Sequence, residues 1–298
     1  MTWRIVEIAS NCKLELKLNY MVVRGEETRR VHVSEIAVLI LENTMISMTA
    51  SLICELTKRK VKIIFCDERR NPYGELTPYY GSHDSVDKLR KQIKWNPEKT
   101  CLQWTEIVRN KIIKQMNLLL KRGHSDQASM LAGYIEDMTV NDTTNREGHA
   151  AKVYFNALFG KDFSRDADNV INACLNYGYS ILLSAFNREI SSNGYSTQLG
   201  IFHDNMFNPF NLASDLMEPF RPLVDECVLD MGCDLLGPEE KRKLVDILNK
   251  KVSIGHNNNY LINAIKIYTK SFFDSIDADD ISKMMFYEDE IHESNGFL

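Results

Sequence analysis

The sequence predicts an α+β fold, with a small β-sandwich-like N-terminal domain followed by a large all-α helical domain. Three observations predict it. The first 66 residues hold short apolar stretches with period-two alternation or β-branched content, as strands do. Residues 67–84 are rich in Asp, Asn, Pro and Gly, which is turn chemistry. Beyond them the apolar spacing changes to three and four residues, the period of helices.

The elements follow in order. Residues 3–9 open as a strand. Residues 13–18, Lys-Leu-Glu-Leu-Lys-Leu, alternate strictly, as a half-buried strand should. Residues 20–23, 30–33 and 36–41 are further strands, with Gly25-Glu26-Glu27 as a hairpin turn between two of them. Residues 44–58 have helical spacing through Ile46, Leu52, Ile53 and Leu56. Residues 61–66 return as a strand. Asp67 to Gly74 reads as a turn, with Pro78 and Gly81 after it. This places a β-rich domain at 1–75, a linker at 76–85 and a helical domain at 86–298. In that second domain Trp104, Ile107, Val108, Ile112, Met116 and Leu119 mark one face of a long helix that Gly123 stops. A second long helix spans 167–190, where Gly178 costs about 1 kcal/mol relative to Ala. Pro238 opens a later helix in its preferred first-turn place. Residues 274–293 carry eight Asp/Glu against one Lys.

Composition narrows the function. A hydrophobic share of 44% over 298 residues belongs to a globular chain with a real core. No apolar run approaches the roughly 18 residues of a membrane span, and the N-terminus lacks a signal peptide's apolar centre. The expected location is the cytoplasm. Seven cysteines, none in a Cys-x-x-Cys pair, speak against a zinc ribbon or a disulfide framework. There is no glycine-rich phosphate loop after a strand and no dinucleotide fingerprint. The net charge of −5 hides an asymmetry: residues 1–125 carry 22 Lys/Arg against 14 Asp/Glu, and the remainder 14 against 27. A basic half can hold a polyanion and an acidic half is better placed for a metal, although both could equally be solvated faces.

Three segments could carry chemistry. In Thr144-Asn-Arg-Glu147-Gly-His149, Glu147 is either an acidic ligand or the partner of Thr144 in a capping box. His149 is a metal candidate or a plain surface histidine. Asn172 and Asn176 lie four residues apart on one helical face, for inter-helix hydrogen bonding or to support a site. The third segment, Asp215-Leu-Met-Glu218-Pro-Phe-Arg221-Pro222, follows His203 by twelve residues. If residues 213–218 are helical, Asp215 and Glu218 share a face, and a cation would stabilise both charges; Pro219 and Pro222 make that conditional. A histidine with carboxylates is a donor set suited to Mg²⁺ or Mn²⁺.

Together Glu147-Gly-x-Ala-Ala, Asn172-Ala-x-Leu-Asn-Tyr-Gly-Tyr179, Gly200-Ile-Phe-His203 and Asp215-Leu-Met-Glu218-Pro-Phe-Arg-Pro222 resemble the CRISPR-associated spacer-acquisition integrase, in its type II form. The resemblance covers essentially the whole chain. It implies a metal-dependent DNA integrase, with endonuclease chemistry, that inserts short foreign DNA fragments into a CRISPR repeat array. A 3′-hydroxyl attacks a phosphodiester and a deoxyribose 3′-oxygen leaves. It also implies Glu147, His203 and Glu218 as ligands of Mg²⁺ or Mn²⁺, supported by Asp215, Asn172 and Arg221. The family's last ligand is often Asp where this chain has Glu218, which leaves Asp215 and Glu218 as rivals for that place. The implied partners are double-stranded DNA as fragment and leader-repeat target, a second copy of the chain, and a central dimer of the small second acquisition protein. The type II effector nuclease and a ring-shaped accessory protein complete the set. Lys58, Arg59, Lys88, Arg90, Lys91 and Lys94 are the candidate phosphate contacts. The alternatives are a metal-dependent nuclease on branched or single-stranded DNA, and a DNA-binding scaffold without catalysis.

Overall fold

The computed structural model describes residues 4–76 and 82–288. Trp3, Pro78, Gly81 and the end of the acidic run lie outside them. The N-terminal part is two four-stranded sheets and one helix. Strands β1 (Arg4–Ile8), β5 (Ile36–Leu41), β7 (Lys62–Cys66) and β8 (Pro72–Leu76) form the first sheet, in the order β1-β5-β7-β8. Strands β2 (Lys13–Lys17), β3 (Tyr20–Arg24), β4 (Thr28–His32) and β6 (Ser47–Met48) form the second, ordered β4-β3-β2-β6. Helix α1 (Ala50–Lys58) covers the core between them.

The β5 sequence IAVLIL is apolar throughout and all six residues are buried. A strand alternates its side chains between faces, so such a strand must have both faces covered. Ile36, Leu39 and Leu41 pack with Leu14 and Met21 of the second sheet and Leu52 and Leu56 of α1. Ala37, Val38 and Ile40 pack instead into the core of the helical part, as do Ile64 and Cys66 of β7. β5 pairs in parallel with both β1 and β7, the arrangement for which doubly buried strands are typical.

The helical part contains α2 (Ser85–Ile93), α3 (Pro97–Lys121), α4 (Ser125–Glu136), α5 (Arg146–Phe159), α6 (Val170–Ser192), α7 (Asn211–Leu216), α8 (Arg221–Met231), α9 (Pro238–Asp246) and α10 (Leu261–Ala278). Trp104, Ile107, Val108, Ile112 and Leu119 of α3 are all buried, as the apolar face requires. Gly178 of α6 is a packing device: a Cβ there would collide with Val224 of α8. Its propensity cost is therefore offset by the close approach of two helices.

Four expectations need correcting. The helix expected over 44–58 begins at Ala50, because Ser47 and Met48 pair with β2 as a short parallel strand. The helix expected over 167–190 is α6, with Asn169 as its cap accepting from the Asn172 amide. The turn expected over 67–74 contains β8, an edge strand antiparallel to β7 that starts on Pro72. Proline is tolerated there because the first residue of an edge strand need not donate to a ladder. The helical part also carries a hairpin, β9 (Lys251–Ile254) with β10 (Asn257–Tyr260), turned at Gly255 and His256.

Candidate active site

Helix α3 runs through the centre of the site and presents two residues seven apart on one face. Trp104 is wholly buried, and its ring stacks on Phe202 with centroids 4.2 Å apart. It also meets the ring of His203 edge-on. Two turns further along, Lys111 is also buried.

His203 stands on the loop between α6 and α7. Asn211 staples this loop by donating to the carbonyls of Gln198 and Asn205. Gly200 is needed at its tightest point, where a Cβ would collide with the His203 carbonyl and lie 2.7 Å from Asp215 Oδ2. Asp215, wholly buried in α7, accepts from the amides of Ile201, Phe202 and His203. Its Oδ1 also lies 2.6 Å from His203 Nδ1. That hydrogen bond raises the His203 pKa; burial opposes it, and the charges of Asp215, Glu218 and Glu147 add to it. Asp215 thus fixes one ring nitrogen and directs Nε2 away from itself.

Glu218 begins a 3₁₀ turn, Glu218–Phe220, in which Pro219 joins α7 to α8. The Glu218 carboxylate is buried between two cations: Arg221 Nε at 2.9 Å and Lys111 Nζ at 2.5 Å. Burial alone would push its pKa up, but Arg221 and Lys111 prevail and hold it at about 2. Burial opposes the charge on Lys111 too, and Glu218 and Glu147 reverse that and raise its pKa.

Glu147 lies in the first turn of α5, where the helix dipole favours a carboxylate. Its side chain does not form the capping box. Asn145, at φ 53°, is the cap and accepts from Gly148 N, while Asp142 accepts from the amides of Arg146 and Glu147. This leaves the Glu147 carboxylate for Lys111, whose Nζ lies 2.5 Å from Oε1. One ammonium therefore bridges Glu147 and Glu218.

Behind Glu218, Arg221 lies over the ring of Tyr179 at 4.5 Å. Tyr179 and Tyr154 both donate to the buried carboxylate of Asp225. Burial raises the Asp225 pKa to about 6, with these hydrogen bonds and nearby arginines working against it. Tyr154 shares a face of α5 with Glu147, so the network ties α5, α6 and α8 around the acidic pair.

The structure thus brings Glu147, Glu218 and Arg221 to one cluster and joins Asp215 to His203. Asp215 and Glu218 do not share a cation. Asn172 stands further out: it is bound by Arg165 and by the carbonyls of Ser164 and Ala167, and Arg165 in turn lies over Tyr179. His149 is an exposed residue beside Tyr134. Lys111, Tyr154 and Asp225 were given no role by the sequence reading, and Tyr179 entered it only as the end of a motif. For Lys111 the signal was present, since it falls with Trp104, Val108, Gln115 and Leu118 on the buried stripe of α3, where an unpaired lysine is not tolerated.

Among the described residues no group of three His, Cys, Asp or Glu side chains is arranged to hold a metal ion. The donors nonetheless fit one by chemistry. Two carboxylates and an imidazole nitrogen suit a hard divalent ion, and the place between the carboxylates already takes a cation, the Lys111 ammonium.

Residues 8–232, which contain every residue of this cluster, match the family model described as CRISPR associated protein Cas1. The chain belongs to the Cas1 family. It is 34% identical to the CRISPR-associated endonuclease Cas1 of Neisseria meningitidis serogroup C (strain 8013) over 278 residues, 91% of each chain. A casposase bound to integration product has the same fold, with a TM-score of 0.75 at 20% identity, over 99% of this chain and 96% of that one. A Cas6-RT-Cas1–Cas2 complex matches with a TM-score of 0.72 at 19% identity, over 96% of this chain and 36% of that one. The chain is thus an enzyme of the family whose curated relatives are named CRISPR-associated endonucleases. Among the described residues no helix is long and apolar enough to cross a membrane.

Proposed function

We propose that this Cas1-family chain is the metal-dependent integrase of a type II CRISPR system, inserting short foreign DNA fragments into a repeat array. The observation that carries the reading is the acidic pair of half-buried Glu147 and buried Glu218, spaced by a cation, with His203 close enough for both charges to raise its pKa. Two carboxylates brought together in a protein interior need a positive charge between them, and catalysis of phosphoryl transfer needs one at that kind of place.

Glu147, Glu218 and His203 through Nε2 would hold Mg²⁺ or Mn²⁺. When bound, the ion would supply polarisation of the target phosphate and stabilisation of the charge on the attacking and leaving oxygens of the 3′-hydroxyl transfer. The chain's own residues prepare that place. Asp215 locks the His203 tautomer and orientation, and Arg221 fixes Glu218. Asp215 is committed to three amides and an imidazole, which favours Glu218 over Asp215 as the ligand. No covalent protein nucleophile is required.

DNA affinity is assigned to α2 and its neighbours. Arg90, Lys91 and Lys94 are exposed, and Gln92 of the same helix bonds the backbone of Ser196 and Leu199 in the His203 loop. The basic row is thereby fastened beside the site. Lys88 stands on the same helix, and Lys58 and Arg59, at the end of α1, are the remaining candidates. Such side chains bind phosphate without reading sequence. The proposal includes the division into 1–75, 76–85 and 86–298, a cytoplasmic location and a homodimer. It further includes a dimer of the small second acquisition protein between two such homodimers, with the effector nuclease and ring-shaped accessory protein as further partners. The names of the structural neighbours, one holding Cas1 with Cas2 and one a casposase on integration product, support DNA and the small partner.

The test is a strand-transfer assay with purified protein, its small partner, Mn²⁺ or Mg²⁺, a labelled duplex with free 3′-hydroxyls, and a supercoiled plasmid carrying leader and repeat. Relaxed plasmid joined to label, lost when the 3′ ends are blocked, is the expected result. Relaxation without joining would reduce the activity to that of a nuclease. DNA binding with no metal-dependent change would leave a scaffold.

A further inference from the structure

We propose that Lys111 is an internal counter-cation of this site: its ammonium holds the two carboxylates together in the metal-free protein, and the divalent ion binds by displacing it. The inference rests on the reading of Glu147, Glu218 and His203 as a metal centre. Lys111 Nζ lies 2.5 Å from Glu147 Oε1 and 2.5 Å from Glu218 Oε2. These are the two carboxylates assigned to the metal, and the ammonium stands between them, where that ion would have to be. An ammonium and a divalent cation cannot occupy one place, and their repulsion at close range is strong in a buried site.

Lys111 is buried with its charge paired on two sides. Its side chain is only 11% exposed, on a stripe of α3 shared with Trp104, Val108, Gln115 and Leu118. Burying a lysine stem in a core is costly unless the charge is paired, and here it is paired twice. Glu218 keeps a second cation, Arg221 Nε at 2.9 Å, when Lys111 leaves. Glu147 keeps the N-terminal turn of α5. A long, unbranched side chain can swing away without moving the helix, whereas Arg221 is also held against the Tyr179 ring. The arrangement has two consequences. The metal-free protein stays folded without an ion. The apparent metal affinity is lowered by the fraction of molecules in which Lys111 is still in place.

The experiment compares wild type, Lys111→Met and Lys111→Arg in thermal unfolding and in calorimetric titration with Mn²⁺ alone. In EDTA, Lys111→Met should unfold at a lower temperature than wild type, because two carboxylates lose their bridge. Mn²⁺ should raise its unfolding temperature more than it raises that of wild type, and bind about tenfold tighter or more. Lys111→Arg should keep its EDTA stability and gain no affinity. Should Lys111→Met not fold, acylation of wild-type lysines read by mass spectrometry decides: Lys111 should be protected in EDTA and become reactive in Mn²⁺. Mn²⁺ binding no tighter to Lys111→Met than to wild type, or Lys111 still protected with Mn²⁺ bound, would overturn the displacement while leaving the metal centre standing. Failure of every variant and of wild type to bind Mn²⁺ would overturn both.

Discussion

His203 takes the largest part of its pKa shift from one neighbour. Asp215 bonds its Nδ1, and that hydrogen bond is the main cause of its raised pKa. A histidine raised in the folded state contributes stability that is fully present below its unfolded pKa of about 6.5 and lost as pH rises through the folded value. In Asp215→Asn the His203 pKa should fall towards the ordinary value, as read by NMR titration in EDTA, and that pH-dependent stability should shrink with it. An unchanged His203 pKa would show that Asp215 does not control the ring. Glu218 has the opposite sign. Its pKa is held at about 2 against an ordinary 4.5, so its contribution is present above about 4.5 and lost as pH falls towards 2. Glu218→Gln leaves Lys111 and Arg221 short of a carboxylate, and breaking a buried pair costs about 3–5 kcal/mol. Urea unfolding between pH 2 and 7 in EDTA should show a lower stability at neutral pH and a flatter acid limb.

At the scale of elements, capping separates what the sequence showed from what it concealed. Thr144 and Glu147 have capping-box spacing, yet the side chain that caps α5 is Asn145. Asn145→Ala should therefore cost about 1 kcal/mol in chemical unfolding, and Thr144→Ala should stay within about 0.5 kcal/mol. The reverse order would restore the capping box. Gly178→Ala puts a methyl against Val224 and should destabilise by about 1–3 kcal/mol despite alanine's better helix propensity. The long helices α3 and α6 were legible from their apolar spacing, and strand β5 from a run of six apolar residues too short for a helix. Strand β8 was not, because an edge strand beginning Pro-Tyr-Gly has the composition of a turn. The candidate site was legible in the same partial way. Asp215, Glu218 and Arg221 are close in sequence, and the motif order pointed to Glu147 and His203. Lys111 is 36 residues before Glu147, and its pairing is made only when α3 packs between α5 and the turn at Pro219. No local rule foretells a pairing of that kind, though a lysine on an apolar stripe is a signal that some anion awaits it.

At the scale of the molecule, the charge asymmetry acquires a position. The basic excess of residues 1–125 includes the exposed row of α2, and Gln92 fastens that helix to the loop carrying His203. Reversing Arg90, Lys91 and Lys94 to Glu should weaken binding of duplex DNA of any sequence. It should also reduce the slope of log affinity against log salt by about 0.9 for each phosphate that is no longer neutralised. Fluorescence anisotropy across a salt series checks this, and an unchanged slope would move the DNA path off α2.

Whether the cluster around Glu147, His203 and Glu218 performs metal-dependent strand joining decides the functional reading. Strand transfer by wild type and Glu147→Gln should be measured in Mn²⁺ and in EDTA, with DNA binding followed on the same samples. Wild type should join strands only in Mn²⁺, and Glu147→Gln should lose at least about 100-fold in joining while retaining DNA binding. Joining by Glu147→Gln at the wild-type rate, or wild-type joining that persists in EDTA, would refute a metal-dependent site at these residues.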